Sequence, residues 1–194
     1  MADVAKSRKY AALIATGREL FWRHGFRRVT VEEICKKAGV SKMTYYKFFS
    51  NKTELAKTVF QSVVDEGVQQ FKELMLSDVS PSEKIRGMIM LKMESTNQIS
   101  REFLEDFYTG SDPELQKFVS EVTLGTWNSM LSDFQLAQSK GIFRPDFKPE
   151  FLIQVSFKMV DFLKDEKLLA LYDNPQDLIV EFSKFIAWGI SPHD

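Results

Sequence analysis

The sequence predicts an all-α protein, and three observations carry that prediction. Apolar residues recur three and four apart along nearly the whole chain, and no Val/Ile/Thr alternation of period two lasts long enough for a strand. Helix-start signals recur at Thr30-Val31-Glu32-Glu33, Ser80-Pro81-Ser82-Glu83, Asp112-Pro113-Glu114 and Asn174-Pro175-Gln176-Asp177. Glycines stand where periodic stretches stop, at Gly25, Gly39, Gly141 and Gly189.

A first helix is predicted from about Ser7 to His24, with Leu13, Ile14, Gly17, Leu20 and Phe21 as its apolar stripe. Gly25 stops it and lets Phe26 fold back onto the core. Thr30 and Glu33 form a capping box for a second helix that ends near Ala38, with Ile34 and Ala38 inward. Gly39 makes a turn, Val40 plugs it, and Ser41 caps a third helix from Lys42 to about Phe49. Asn51, with Glu54 three residues on, opens a long fourth helix to about Leu76. Further helices are predicted near 81–98, over a short stretch holding Phe103, Leu104 and Phe107, and over 112–140. The last two cover 149–164 and 174–189.

The chain has 194 residues, of which 44% are hydrophobic, so a substantial core can form. Its apolar runs are short and interrupted by charge, which predicts no transmembrane helix, and the N-terminal stretch lacks the pattern of a signal peptide. A single cysteine, Cys35, excludes an intramolecular disulfide framework and suits a cytoplasmic protein. On its helix it reads as a small packed side chain rather than a redox sensor.

The net charge of −1 hides an asymmetry. Residues 1–52 hold 12 Lys and Arg against 4 Asp and Glu, a formal +8, and the remainder holds 14 against 23, a formal −9. A basic end points to nucleic acid or a membrane surface, or to a merely solvated face. The helix-turn-helix spacing of 30–49 favours nucleic acid, because a short helix rich in hydrogen-bond donors after a tight turn suits a DNA major groove. Lys42, Met43 and Thr44 face outward at its start, and lysine and threonine can meet base edges. Tyr46, Lys47 and Lys52 suit phosphate oxygens, and the free N–H groups beside Thr30 form a further anion site. Tyr45, Phe48 and Phe49 lie on one side and read as core.

Residues 10–60, with LF-x-x-x-G-F, T-V-x-x-I, A-G-V-S, T-x-Y-x-x-F and N-K-x-x-L, resemble the N-terminal segment of the tetracycline-repressor (TetR) family. The resemblance implies an all-α homodimer. Residues 1–52 would be a three-helix DNA-binding domain, and 53–194 a larger helical ligand-binding and dimerisation domain. It implies base or phosphate roles for Lys42, Met43, Thr44 and Lys47, and phosphate roles for Thr30, Tyr46 and Lys52. Two residues depart from the family pattern: Met43 replaces a small residue, and Tyr45 replaces an apolar one. The last two long helices are expected to pair with their copies in a four-helix interface.

A pocket for a small apolar or amphipathic ligand is expected from Met88, Met93, Phe103, Phe107, Tyr108, Trp127, Met130 and Phe134, which read equally as ordinary core. Glu102, Glu105 and Asp106 either attract a cationic lipophile or form a solvated face. Arg144 and Asp146 read as structural. His24 and His193 are the only histidines, no Ser-His-Asp set, metal cluster or Walker loop is present, and neither catalysis nor a cofactor is expected. The expected function is that of a sequence-specific DNA-binding transcriptional regulator, a repressor released from a pseudo-palindromic operator by a small molecule. The alternative is a DNA-binding protein of the same fold that acts through a protein partner. An enclosed apolar cavity would favour the former, and a filled core with an exposed apolar patch the latter.

Overall fold

The computed structural model describes residues 2–110 and 112–192, with only the backbone for residues 2–6; His193 lies outside the described residues. Ten α-helices and no strand are found among the described residues: α1 Ala2–His24, α2 Val31–Ala38, α3 Lys42–Tyr45, α4 Lys52–Leu76, α5 Pro81–Ser95, α6 Arg101–Leu104, α7 Pro113–Ser139, α8 Pro149–Phe162, α9 Glu166–Leu169 and α10 Pro175–Gly189. The all-α prediction therefore holds. The predicted short helix holding Phe103, Leu104 and Phe107 is α6 continued by a turn, Glu105–Thr109, whose π geometry has no counterpart in the sequence reading; nor has α9.

The chain divides into two compact units. The first contains residues up to Val63 together with Gln98–Glu121; the second contains Val64–Asn97 and the chain from Val122 onward. Both α4 and α7 thus begin in the first unit and end in the second.

In the first unit α1 packs against α2 and α6, and α2 against α3. Leu13, Phe21, Ile34, Tyr45, Leu55, Val59 and Phe107 are fully buried there. Phe103 stacks on Phe107 with ring centroids 4.3 Å apart, and Trp22 lies 4.2 Å from Phe103. These rings join α1 to a segment that follows it by some eighty residues.

In the second unit α10 packs against α5 and α8. Ile85, Ile89, Phe134, Phe143, Leu152 and Ala187 lie in its core. Two cations close helix ends there. The buried Lys84 donates from Nζ to the Met75 carbonyl at 2.7 Å, satisfying an acceptor in the last turn of α4. Arg144 donates from its backbone N–H to Ile190 O at 3.0 Å and from Nε to Gly189 O at 2.5 Å, at the end of α10. The Arg144 guanidinium also meets Asp146 at 2.6 Å, so both residues are tied into helix-end structure.

The predicted caps form. Glu33 N–H donates to Thr30 Oγ1 at 3.2 Å while Thr30 N–H donates to the Glu33 carboxylate at 2.9 Å. Ser80 and Glu83 repeat the arrangement before α5. Asn51, Asp112 and Asn174 accept the first amides of α4, α7 and α10. Hydrogen bonds from Thr30 and Ser80 hold the Glu33 and Glu83 carboxyls below their ordinary 4.5.

A carboxyl lowered in the folded state stabilises fully above its unfolded value and loses that contribution as pH falls through the folded one. Stability should therefore decline below about pH 4.5. The double variant Glu33→Gln, Glu83→Gln should lose less between pH 5 and 3 than the parent in urea unfolding. Parallel curves would contradict the cap assignment. Gly39 has φ 64° with open space around it, so only its backbone conformation restricts substitution. Gly39→Ala should cost about 1 kcal/mol in unfolding free energy, and Gly39→Asn less. An unchanged melting temperature for the alanine variant would show that the left-handed turn is not what selects glycine.

Candidate nucleic-acid interface

The candidate surface is built on the turn between α2 and α3. Gly39 ends α2 in the left-handed conformation, and Val40 N–H donates to Cys35 O at 2.9 Å. Val40 is buried and anchors the turn, while the Ser41 hydroxyl accepts from Thr44 N–H at 3.2 Å. α3 is shorter than predicted, four residues rather than the stretch to Phe49. Past Tyr45 the backbone tightens: Lys47 N–H donates to Thr44 O and Phe48 N–H to Tyr45 O, a spacing of three. Cys35 is buried, and burial pushes its thiol up, away from the thiolate a sensor needs.

Tyr45 and Met43 occupy opposite sides. Tyr45 is fully buried, packs 5.6 Å from Phe49 and donates its hydroxyl to Asn51 O at 3.1 Å. Its extra oxygen therefore joins α3 to the start of α4, and burial raises the phenol well above its ordinary range. Met43 is 74% exposed and Tyr46 56% exposed; Lys42 and Lys47 are exposed beside them, and Thr44 is half-buried. Lys42 pairs with Glu32 on α2, and Lys37 on α2 pairs with Glu19 on α1 at 2.6 Å.

Thr30 is exposed at the start of α2. The loop that delivers it, residues 25–30, is held from two sides. Lys52 Nζ donates to Phe26 O at 2.6 Å, Val29 O at 2.8 Å and Arg27 O at 3.3 Å, and lies 4.3 Å from the centre of the Phe26 ring. Burial lowers the pKa of this ammonium, opposed by the Asp106, Asp112 and Glu33 carboxylates. On the other side, Arg27 N–H donates to Asp106 Oδ2 at 2.8 Å and Arg27 Nε to Asp106 Oδ1.

Asp106 is 4% exposed. It is neither a solvated residue nor an unpaired acid awaiting a cation, the two readings the sequence offered. Its partner lies 79 positions away, and nothing in the local pattern around either residue marks the pair.

The expected ligand-pocket residues divide between the units. Phe103 and Phe107 belong to the aromatic core of the first, and Tyr108 lies beside them against Phe60, its phenol pushed up to about 12 by burial. In the second unit Phe134 is a core residue, Met88, Trp127 and Met130 are partly buried against that core, and Met93 is exposed. A cleft of about 130 Å³ in that unit is lined instead by residues that include Phe71, Met75, Asp133, Leu136 and Ile142. Among the described residues no group of three or more His, Cys, Asp or Glu could hold a metal ion, and no helix is long and apolar enough to cross a membrane.

Residues 13–59 match the family model described as bacterial regulatory proteins, tetR family. No curated protein matches the chain. Solved structures with the same fold include the fatty acid degradation regulator FadR from Bacillus halodurans, 19% identical, covering 93% of this chain and 95% of that one with a TM-score of 0.68. Regulatory protein TetR from Rhodobacter sphaeroides is 18% identical over 93% and 98% of the two chains, TM-score 0.69. Salmonella enterica GusR is 16% identical over 93% and 94%, TM-score 0.63. The family match thus covers the helix-turn-helix segment at residues 13–59, and these solved structures share the fold along nearly the full length of the chain.

Proposed function

We propose that the protein is a homodimeric, sequence-specific transcriptional repressor acting at a pseudo-palindromic operator. Release by a small apolar or amphipathic ligand bound within residues 53–194 rests on the family resemblance, since most of the expected pocket residues pack as core and the exposed rings of α8 and α10 instead favour a protein partner, here a second copy. The supporting observation is one exposed surface on which Lys42, Met43, Tyr46 and Lys47 surround a short helix, with the N-terminus of α2 and Thr30 in the same unit. Lys42 and Thr44 meet base edges, Met43 supplies apolar contact in the groove, and Lys47, Tyr46 and Thr30 serve the phosphates. Lys52, expected from the sequence to contact a phosphate, has its three donors on the Phe26, Arg27 and Val29 carbonyls and serves the phosphates only through the loop it holds.

Dimerisation is supported by apolar side chains left in solvent on α8 and α10. Phe151 is 66% exposed, Phe185 77% and Trp188 49%. Large rings exposed together on two helices suit a covering partner, and a second copy supplies the self-complementary one. Two recognition helices then enter successive major grooves about 34–36 Å apart. Release requires only that the ligand bind the DNA-incompetent state more tightly, which lowers DNA affinity by the same factor.

Binding to DNA from upstream of the protein's own gene, titrated against salt, tests this reading. Lys47→Ala should weaken binding to all sequences. It should also reduce the salt slope by about 0.9 for each phosphate that Lys47 neutralises, so by about 1.8 per dimer. Lys42→Ala should instead relax base preference at one position, at about 1–3 kcal/mol per half-site. An unchanged slope in the first variant and unchanged preference in the second would remove both assignments.

A further inference from the structure

We propose that Asp106 is a positioning residue for DNA binding: from the π-helical turn after α6, its carboxylate fixes the loop that presents the N-terminus of α2. The inference rests on the DNA-binding reading above and adds to it a residue outside both the helix-turn-helix and the family match at 13–59.

The seat of this carboxylate is built from several sides. One oxygen accepts the Arg27 backbone N–H and the other the Arg27 guanidinium, which also lies 3.9 Å from Glu105. A Cβ on Gly25 would stand 2.6 Å from Asp106 Oδ2, and one on Gly110 would stand 2.5 Å from Asp106 O. Gly25 also has φ 75°, so glycine is required there twice over. Gln116 donates to the Asp106 carbonyl at 3.3 Å. The same segment is fastened to the end of α1 by Ser100 N–H on Trp22 O at 2.9 Å and by Arg23 Nε on Gln98 Oε1 at 2.6 Å. Gln98 holds φ 62°, a conformation that non-glycine residues seldom adopt, at the point where the chain returns to this unit.

These contacts have one geometrical effect. Only Arg28 and Val29 stand between Arg27 and Thr30, whose hydroxyl and following amides form the proposed phosphate site. Lys52 gathers the carbonyls of this loop, and Asp106 gathers its amide edge and its guanidinium. With both in place the loop has little freedom left, and phosphate binding needs no further ordering. Without Asp106 the amide edge is free, the guanidinium swings away, and the ordering cost falls on DNA binding.

The test uses the full-length protein and operator DNA, with the active fraction of each preparation fixed by stoichiometric titration. Asp106→Asn keeps an acceptor but removes the charge, and should weaken Kd by about tenfold while the active fraction stays high. Arg27→Gln should weaken it too, and Arg27→Lys should recover part of that loss. The double variant Asp106→Asn, Arg27→Gln should bind no more weakly than the poorer single variant. Hydrogen exchange at the Arg27 amide should quicken in Asp106→Asn, a reading independent of DNA. The proposal is overturned if Asp106→Asn binds as tightly as the parent or more tightly, if the two substitutions add, or if only the active fraction falls. Absence of binding by the parent protein would instead overturn the DNA-binding reading, and this inference with it.

Discussion

The ammonium of Lys52 is the contact on which the first unit most depends. The turn from α1 to α2 places carbonyls of Phe26, Arg27 and Val29 together, two of them partly buried, and partly buried carbonyls left unpaired are costly. A lysine ammonium carries three donors on one point and can serve three converging oxygens, which a flat guanidinium does not. Its desolvation opposes the charge, but the carbonyl dipoles and the ring face of Phe26 are arranged to favour it. Lys52 is also the first residue of α4. The same side chain therefore fixes the direction in which α4 leaves and the position from which α2 starts.

What could be read from the sequence follows from distance along the chain. Each cap, from Thr30 to Asn174, links residues two or three apart, and spacing alone is enough to specify it. The glycine turn at Gly39 and the inward face of Tyr45 follow from the same short range. The Arg27–Asp106 pair spans 79 positions, and Glu102, Glu105 and Asp106 look alike in sequence until the fold buries one of them. The π turn and the shortened α3 escaped for a related reason. Both are local departures from regular spacing that an apolar period does not mark; after α3 the Tyr45 hydroxyl reaches Asn51, six residues on. The pocket residues escaped because large apolar side chains suit a core and a cavity equally, and only the fold assigns Phe107 to one unit and Phe134 to the other.

Charge in the first unit is distributed in a way that composition hides. The segment 98–121 has two basic and six acidic residues, so it offsets part of the +8 carried by residues 1–52. Its acids are spent at particular places. Asp106 takes Arg27, Glu114 takes Lys57 at 2.5 Å, and Asp112 accepts from Thr53 at 3.1 Å. All three partners lie in the loop before α2 or in the first turns of α4. On the helix-turn-helix face, by contrast, the pairs are Lys42 with Glu32 and Lys37 with Glu19, between exposed side chains. Exposed pairs contribute about 0–1 kcal/mol and exchange readily for another anion. Arg27, Lys52 and Lys57 are thus committed to the fold, while the cations around α3 stay available to a phosphate. In the proposed DNA-binding role, exchangeable cations gathered around α3 would let the field favour the orientation that presents this helix, before any base is read.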